Sequence, residues 1–143
     1  MTPRQIFDSL VGKWNLQRTL GRHGVIHGTA AFNIGVQPNV LLYREDFIIK
    51  NLNQSLVHSY KEYEYHFDQA KIIKYFKQTS NESSIFYELE FIEDNFAVAT
   101  HLCNQDNYKA EYRFHEYGKF RLKYYVKGPS KDYTIDTEFI KIS

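Results

Sequence analysis

Apolar and polar residues alternate along almost the whole chain, and short clusters of Gly, Pro, Asn, Asp and Ser interrupt the alternation. A period of two is the pattern of a β-strand that buries one face, and the clusters carry turn chemistry. The pattern predicts ten strands, near residues 13–20, 25–34, 40–50, 55–67, 71–78, 84–92, 96–103, 107–116, 119–127 and 132–142. Because the connections are short, consecutive strands should pair as an antiparallel up-and-down meander.

Only the start of the chain favours a helix. Thr2, Pro3 and Gln5 form the signature of a capping box with proline in the first turn, and Gly12 supplies a stop signal. Closing the meander removes both exposed edges, so we predict an all-β barrel, plugged at one end by the helix, with residues 1–143 as one domain. Ten strands make a barrel too wide for side chains alone to fill, so we expect a cavity of about a few hundred cubic ångströms.

Charge and cysteine content narrow the classes of function. With 18 Lys and Arg against 17 Asp and Glu, the chain lacks the bulk field that attracts nucleic acid or anionic membranes, so neither is an expected partner. The single Cys103 cannot form an internal disulfide, the first residues lack the apolar segment of a signal peptide, and no stretch is apolar enough to span a bilayer. These features predict a cytoplasmic protein.

Several polar residues fall on strand sides that should face the barrel interior. They are Arg18, Tyr43, Glu45, Lys61, Tyr63, Tyr108, Tyr112, Tyr124 and Tyr133. A buried charge without a partner is costly, which leaves two interpretations open. In the first, Arg18 pairs with Glu45 and the tyrosines satisfy one another. In the second, the barrel holds a wet pocket whose cations bind an anionic or phenolic ligand.

Two turn segments near the C-terminus gather further chemistry at one rim. Alternate turns of a meander lie at alternate ends, so the turns near 21–24, 51–54, 80–83, 104–107 and 128–131 should share the end opposite the helix. The rim would then carry His101, Asp106, Lys127, Lys131, Asp132 and Tyr133. Such groups suit acid–base catalysis, although aspartates in turns usually bond nearby backbone amides.

Other chemistries find less support at this rim. His101 and Cys103 share one side of a strand, but no nucleophile elbow surrounds the thiol. His23 and His27 have a spacing that suits a metal site on a helix, whereas here it spans a glycine turn. Haem would require a large apolar pocket rather than walls rich in tyrosine hydroxyls. We therefore expect no metal and no cofactor.

Motifs spread through the chain resemble known barrels. Gly12-Lys-Trp14 is similar to the Gly-x-Trp signature of lipocalin-type (calycin) barrels, which place a basic residue, here Lys141, over the Trp. Further motifs are Arg18, Gly28-x-Ala-x-Phe32, Leu41-x-Tyr-x-Glu45, Lys61-x-Tyr63, His101-x-Cys-x-x-Asp-x-Tyr108 and Val126-x-Gly-Pro-x-Lys-Asp-Tyr133. Together with Gly12-Lys-Trp14, these motifs make the whole chain resemble a bacterial family of small barrels known as domain of unknown function 6314. The resemblance implies a calycin-like barrel and no particular activity.

Together these features predict a ten-stranded antiparallel up-and-down calycin-like β-barrel that binds a small molecule inside the cell. The expected ligand is polar-aromatic or carboxylate-bearing and lies inside the barrel. The candidate ligand-binding residues are Arg18, Tyr43, Glu45, Lys61, Tyr63, His101, Asp106, Tyr108, Tyr124, Lys127, Lys131, Asp132 and Tyr133. Two alternatives stay open: an enzyme that uses the rim of His101, Asp106, Lys131 and Asp132, and a protein–protein adaptor.

Overall fold

A computed structural model describes residues 1–77, 84–116 and 118–143. One helix, α1 (Pro3–Ser9), precedes the strands, and a single 3₁₀ turn (Gly21–His23) follows the first of them. The described residues form ten strands: β1 (Gly12–Thr19), β2 (Val25–Ile34), β3 (Val40–Lys50), β4 (Leu56–Asp68), β5 (Lys71–Phe76), β6 (Ile85–Glu93), β7 (Phe96–Cys103), β8 (Asp106–His115), β9 (Lys119–Gly128) and β10 (Lys131–Lys141). The turn predicted near 80–83 lies outside the described residues.

The strands close into one antiparallel barrel. Each strand pairs with its neighbours in the chain, and β1 also pairs with β10, where Trp14 lies opposite Lys141. The predicted fold is confirmed. In the described part of the chain, no helix is long and apolar enough to cross a membrane.

Helix α1 plugs one end of the barrel. Its capping box is present, since the Gln5 backbone N–H donates to Thr2 Oγ1 (3.1 Å) and the Thr2 N–H donates to Gln5 Oε1 (2.9 Å). The helix buries Phe7, whose ring lies 5.6 Å from the ring of Phe67 at the end of β4. Gly12 begins β1 rather than stopping the helix, and its φ of 134° explains why glycine stands there.

Aromatic side chains fill the half of the barrel next to the helix. Trp14 is buried, donates its indole N–H to the Leu10 carbonyl (2.8 Å) and packs edge-on against Phe120 (5.0 Å between ring centroids). Lys141 Nζ lies 5.5 Å from the indole centroid and donates to the Ser9 carbonyl (2.8 Å). The expected burial of Trp14 beside Lys141 is confirmed.

The aromatic side chains in the half of the barrel next to α1 determine where open space remains. The gap between Leu10, Tyr112 and Phe114 is too small for a water molecule. Large rings thus occupy much of the volume that the strand number alone leaves open, and the cavity is smaller than the few hundred cubic ångströms expected. The space that does remain lies in the mouth half.

Candidate ligand-binding cavity

A partly enclosed cavity of about 170 Å³ occupies the end of the barrel opposite α1. Its position follows from the strand ends, since Arg18 lies next to the end of β1 and Tyr133 lies near the start of β10. The lining is Arg18, Tyr43, Glu45, Lys61, Tyr63, Lys74, Phe86, Tyr108, Leu122, Tyr124, Val126, Tyr133 and Ile135. Charged groups, phenols and apolar side chains thus share one small space.

An ion pair forms one wall of the cavity. Arg18 donates from both terminal nitrogens to Glu45 (2.7 and 3.1 Å) and from Nε to Thr137 Oγ1 (2.8 Å), while the Tyr43 hydroxyl donates to Glu45 Oε1 (2.7 Å). Burial alone would raise the pKa of the Glu45 carboxyl, but the bonds from Arg18 and Tyr43 outweigh burial and lower it. Glu45 is therefore ionised at neutral pH. The Arg18–Glu45 ion pair of the first sequence interpretation is therefore present, and so is the cavity that the second interpretation required.

A close approach of two strands holds Arg18 in place. The Phe47 ring lies under the guanidinium, 4.7 Å from its carbon to the ring centroid. Gly28 on the neighbouring strand makes room for that ring, because a Cβ at Gly28 would come within 2.5 Å of Phe47 Cδ1 and of the Asp46 carbonyl oxygen. Gly28 therefore acts through Phe47 to position Arg18.

Lys74, on β5, is the most unusual group in the cavity wall. It is 3% exposed, and its ammonium nitrogen reaches two phenol oxygens, of Tyr124 at 3.1 Å and of Tyr87 at 3.4 Å. The same nitrogen lies 4.1 Å from the ring centroid of Tyr63. Glu45 is the carboxylate that acts on it electrostatically, and Arg18 already holds that carboxylate. Among the described residues Lys74 thus has no salt-bridge partner.

Burial has a large effect on the Lys74 amine. Removing the group from water penalises its charged form and lowers its pKa to about 7, with repulsion from Arg18 and Lys61 acting in the same direction and Glu45 opposing. At neutral pH a substantial share of the molecules therefore carries a neutral amine at this position.

A chain of phenol groups runs from Lys74 into the core. The Tyr124 hydroxyl lies 2.5 Å from that of Tyr87, Tyr87 is hydrogen-bonded to Tyr112, and Tyr112 lies 3.1 Å from Tyr65 between oxygens. Burial raises the pKa of the Tyr124 and Tyr87 phenols well above the ordinary range, so they stay protonated and act as hydrogen-bond donors. The predicted mutual satisfaction of tyrosines is present here.

A β-bulge supplies the aromatic side of the cavity. Lys74 pairs with Tyr87, but the next residue, Tyr75, pairs with Ile85, so β6 accommodates one extra residue, Phe86. As a result Phe86 faces the cavity, while Ile85 is 55% exposed. Strict alternation would place Ile85 in the interior with the buried Tyr87, but the alternation fails at the bulge.

Basic side chains outnumber acidic ones in the lining of the cavity. Its lining carries three basic side chains, Arg18, Lys61 and Lys74, and one acidic one, Glu45. Arg18 and Glu45 neutralise each other, which leaves the two lysines as the basic groups available to a bound molecule. Lys61 is exposed and Lys74 is buried, so a charge on Lys74 is the one that water screens least.

Comparison with known proteins places the chain in a family. The sequence profile of the group described as "Family of unknown function (DUF6314)" matches residues 10–141. The chain belongs to this family. The resemblance inferred from the sequence motifs is therefore confirmed. No curated protein matches the chain significantly.

Two solved structures are similar to this DUF6314 chain. The S-type phycobiliprotein lyase from Guillardia theta is 10% identical, with a TM-score of 0.67, over 100% of this chain and 94% of the lyase. A redesigned β-barrel is 8% identical, with a TM-score of 0.49, over 96% of both chains. At such identities the likeness to the lyase shows a common lipocalin-like fold and nothing about activity.

The structure brings together eight of the thirteen candidate residues of the DUF6314 chain. Those that line the cavity are Arg18, Tyr43, Glu45, Lys61, Tyr63, Tyr108, Tyr124 and Tyr133. Those that do not are His101, Asp106, Lys127, Lys131 and Asp132. A role in binding stays a prediction for all thirteen.

The rim residues form separate local contacts. Lys131 Nζ pairs with Asp106 Oδ2 at 2.8 Å. The His101 ring packs edge-on behind Phe86, with 5.1 Å between centroids, and Cys103 is exposed. Among the described residues no three His, Cys, Asp or Glu side chains come together as a metal site would require.

Sequence reasoning missed Lys74 and Phe86. Lys74 lies two residues after the buried Ile72, on the same side of β5, and this spacing could have predicted that Lys74 faces the interior. It was obscured because Ile73 and Tyr75 give the opposite side of β5 an equally apolar appearance. Nothing in the sequence marks the bulge at Phe86.

Proposed function

We propose that this protein binds a small aromatic molecule that carries a carboxylate or phenolate, in the cavity at the mouth of the barrel. One observation carries the proposal: Lys74 is a buried lysine that faces the cavity without a carboxylate partner among the described residues. A buried charge needs a counter-charge, and an anionic ligand group beside Lys74 supplies it.

The size of the cavity limits the ligand to about one ring. A cavity of about 150 Å³ in another protein holds a benzene molecule, and the volume here is about 170 Å³ with an opening at the mouth. Ordinary drug-sized sites are about twice as large or more. A single ring with one or two polar substituents matches this space.

The walls suit an aromatic ring. Phe86 is nearly parallel to Tyr124 (10° between ring planes) and lies 5.8 Å from Tyr63 between centroids. These faces favour offset or edge contacts with another ring. Because Arg18 is held by Glu45, we assign it the role of shaping the wall, and we assign contact with the ligand anion to Lys74 and Lys61.

The proposal includes an intracellular location. Cys103 carries a free, exposed thiol, and such thiols are typical of proteins in a reducing compartment. Native mass spectrometry of protein purified without dialysis tests whether a small molecule is retained.

Calorimetric titration with 4-hydroxybenzoate tests the proposal directly. We expect saturable binding to the wild type and a loss of about 1.5–3 kcal/mol in Lys74→Met, the usual contribution of a hydrogen bond to a charged group. The matched control is Lys109→Met, since Lys109 is exposed and lies outside the cavity lining. Absence of binding to the wild type, or equal affinity in Lys74→Met, would contradict the proposal.

A further inference from the structure

We infer that Lys74 is a covalent attachment site, which captures an aldehyde-bearing aromatic ligand as an imine. The inference rests on the proposed function, because an aldehyde group that takes the place of the ligand carboxylate would lie against the Lys74 nitrogen. It is carried by a juxtaposition in the cavity wall. The buried amine, the Tyr124 hydroxyl at 3.1 Å and the aromatic faces of Tyr63 and Phe86 meet at one place.

Imine formation requires a neutral amine, and the surroundings of Lys74 favour that form. Its hydrogen-bond partners are the phenols of Tyr87 and Tyr124 rather than a carboxylate that would hold it as ammonium. With a pKa near 7 it is about half amine at neutral pH, whereas a lysine with the ordinary pKa of about 10.4 is amine in roughly one molecule in 2,500. Lysines desolvated in this way serve as nucleophiles toward carbonyl groups.

Tyr124 supplies the proton transfers that the reaction needs. The lone pair of Lys74 Nζ forms a bond to the carbonyl carbon, the carbonyl π electrons move to oxygen, and that oxygen takes a proton from the Tyr124 hydroxyl. Nitrogen returns a proton to the phenolate, which gives a neutral carbinolamine. The C–O bond then breaks as Tyr124 protonates the departing hydroxyl to water, and the iminium nitrogen returns its proton to Tyr124. One aldehyde and one amine thus give one imine and one water.

Geometry separates Lys74 from the other lysine in the wall. Lys61 also lines the cavity, but it is exposed. An exposed ammonium keeps its hydration and reacts slowly at neutral pH. Burial also slows the return of water to an imine at Lys74, which lengthens the lifetime of the attached ligand.

Reductive trapping tests the inference on the full chain. The protein is incubated at pH 7 with 4-hydroxybenzaldehyde and sodium cyanoborohydride, and the modified lysines are identified by peptide mass spectrometry. We expect one equivalent at Lys74, formed more than about tenfold faster than at the exposed Lys109, because burial favours the amine form of Lys74. Labelling at Lys74 should rise about twofold from pH 7 to pH 8.5 as the remaining ammonium is lost.

The variants are Lys74→Met and Lys74→Arg, with Lys109→Met as the matched control. The inference is supported if the rapidly formed equivalent of label is lost in both Lys74 variants and is still formed in Lys109→Met. If either Lys74 variant fails to fold, the position of the adduct in the wild-type peptide map decides the question alone.

Two outcomes would contradict the imine at Lys74, and they differ in whether they also contradict the proposed ligand binding. If 4-hydroxybenzoate binds but Lys74 is labelled no faster than Lys109, the imine is wrong and the proposed binding function stands. If neither the acid binds nor the aldehyde labels Lys74, both are wrong.

Discussion

Replacing Lys74 with methionine should make the protein more stable at neutral pH, by an amount that shrinks as the pH rises. Lys74 has a pKa of 10.5 in the unfolded chain and about 7 in the folded one. Between these values the unfolded chain binds more protons than the folded protein, so wild-type stability rises with pH. Below pH 7 both states are protonated and the dependence ends.

The magnitude follows from the two pKa values. At pH 7 the free-energy cost of burying Lys74 is roughly 4 kcal/mol, and at pH 9 it is roughly 2 kcal/mol. Methionine removes this cost but also removes two hydrogen bonds, to Tyr87 and Tyr124, at about 1 kcal/mol each. The free energy of unfolding of Lys74→Met should therefore be roughly 2 kcal/mol higher than that of the wild type at pH 7 and equal to it near pH 9.

Urea unfolding at pH 7, 8 and 9 measures the difference, with Lys109→Met, at an exposed site outside the cavity lining, as the matched control. Other titrating groups are common to both proteins and cancel in the comparison. A difference between Lys74→Met and the wild type that stays constant from pH 7 to pH 9 would refute the reasoning. Such a result would mean that Lys74 stays fully charged in the folded barrel.

Three further predictions concern the ion pair, the core and the rim. Glu45→Gln should lower the free energy of unfolding by about 3–5 kcal/mol, because it leaves the Arg18 charge buried without a counter-charge; urea unfolding should show most of the loss recovered in the double variant Arg18→Met with Glu45→Leu. Trp14→Ala should cost about 3–5 kcal/mol, as large core truncations do, and an unchanged thermal melt would mean that the indole contributes no packing. Lys131→Ala should leave the affinity for 4-hydroxybenzoate within calorimetric error, since its ammonium faces Asp106 outside the cavity lining; a clear loss of affinity would instead assign the rim to the binding site.

Much of the fold follows from local sequence patterns. Alternation and turn residues suffice for strand number and order, because each strand pairs with its chain neighbours. Closure adds one long-range pair, β1 with β10, which is expected because it removes both exposed edges. The capping box at Thr2 and the burial of Trp14 are equally local or motif-based. The cavity volume was not predictable in this way, since it depends on how the rings of Phe120 and its neighbours pack in three dimensions.

The candidate site was predictable only where parity is unambiguous. Arg18 and Glu45 stand out as charges on sides that are otherwise apolar, and both line the cavity. Lys74 lies on a strand whose two sides are both apolar, so the sequence does not mark this lysine as an inward-facing residue. Phe86 depends on a register shift between β5 and β6, which arises from pairing rather than from the composition of either strand.

The row of phenols beneath Lys74 links the protonation of that amine to the orientation of groups deep in the core. As ammonium, Lys74 can only donate, so Tyr124 and Tyr87 accept and the remaining hydroxyls point away, toward Tyr112 and Tyr65. As amine it gains a lone pair that can accept from the Tyr124 hydroxyl, while its remaining N–H groups can still donate to Tyr87. The protonation of Lys74 thus sets the direction of the hydrogen bond at the start of the row. A ligand that fixes the charge of Lys74 therefore also fixes which way the Tyr124 hydroxyl points.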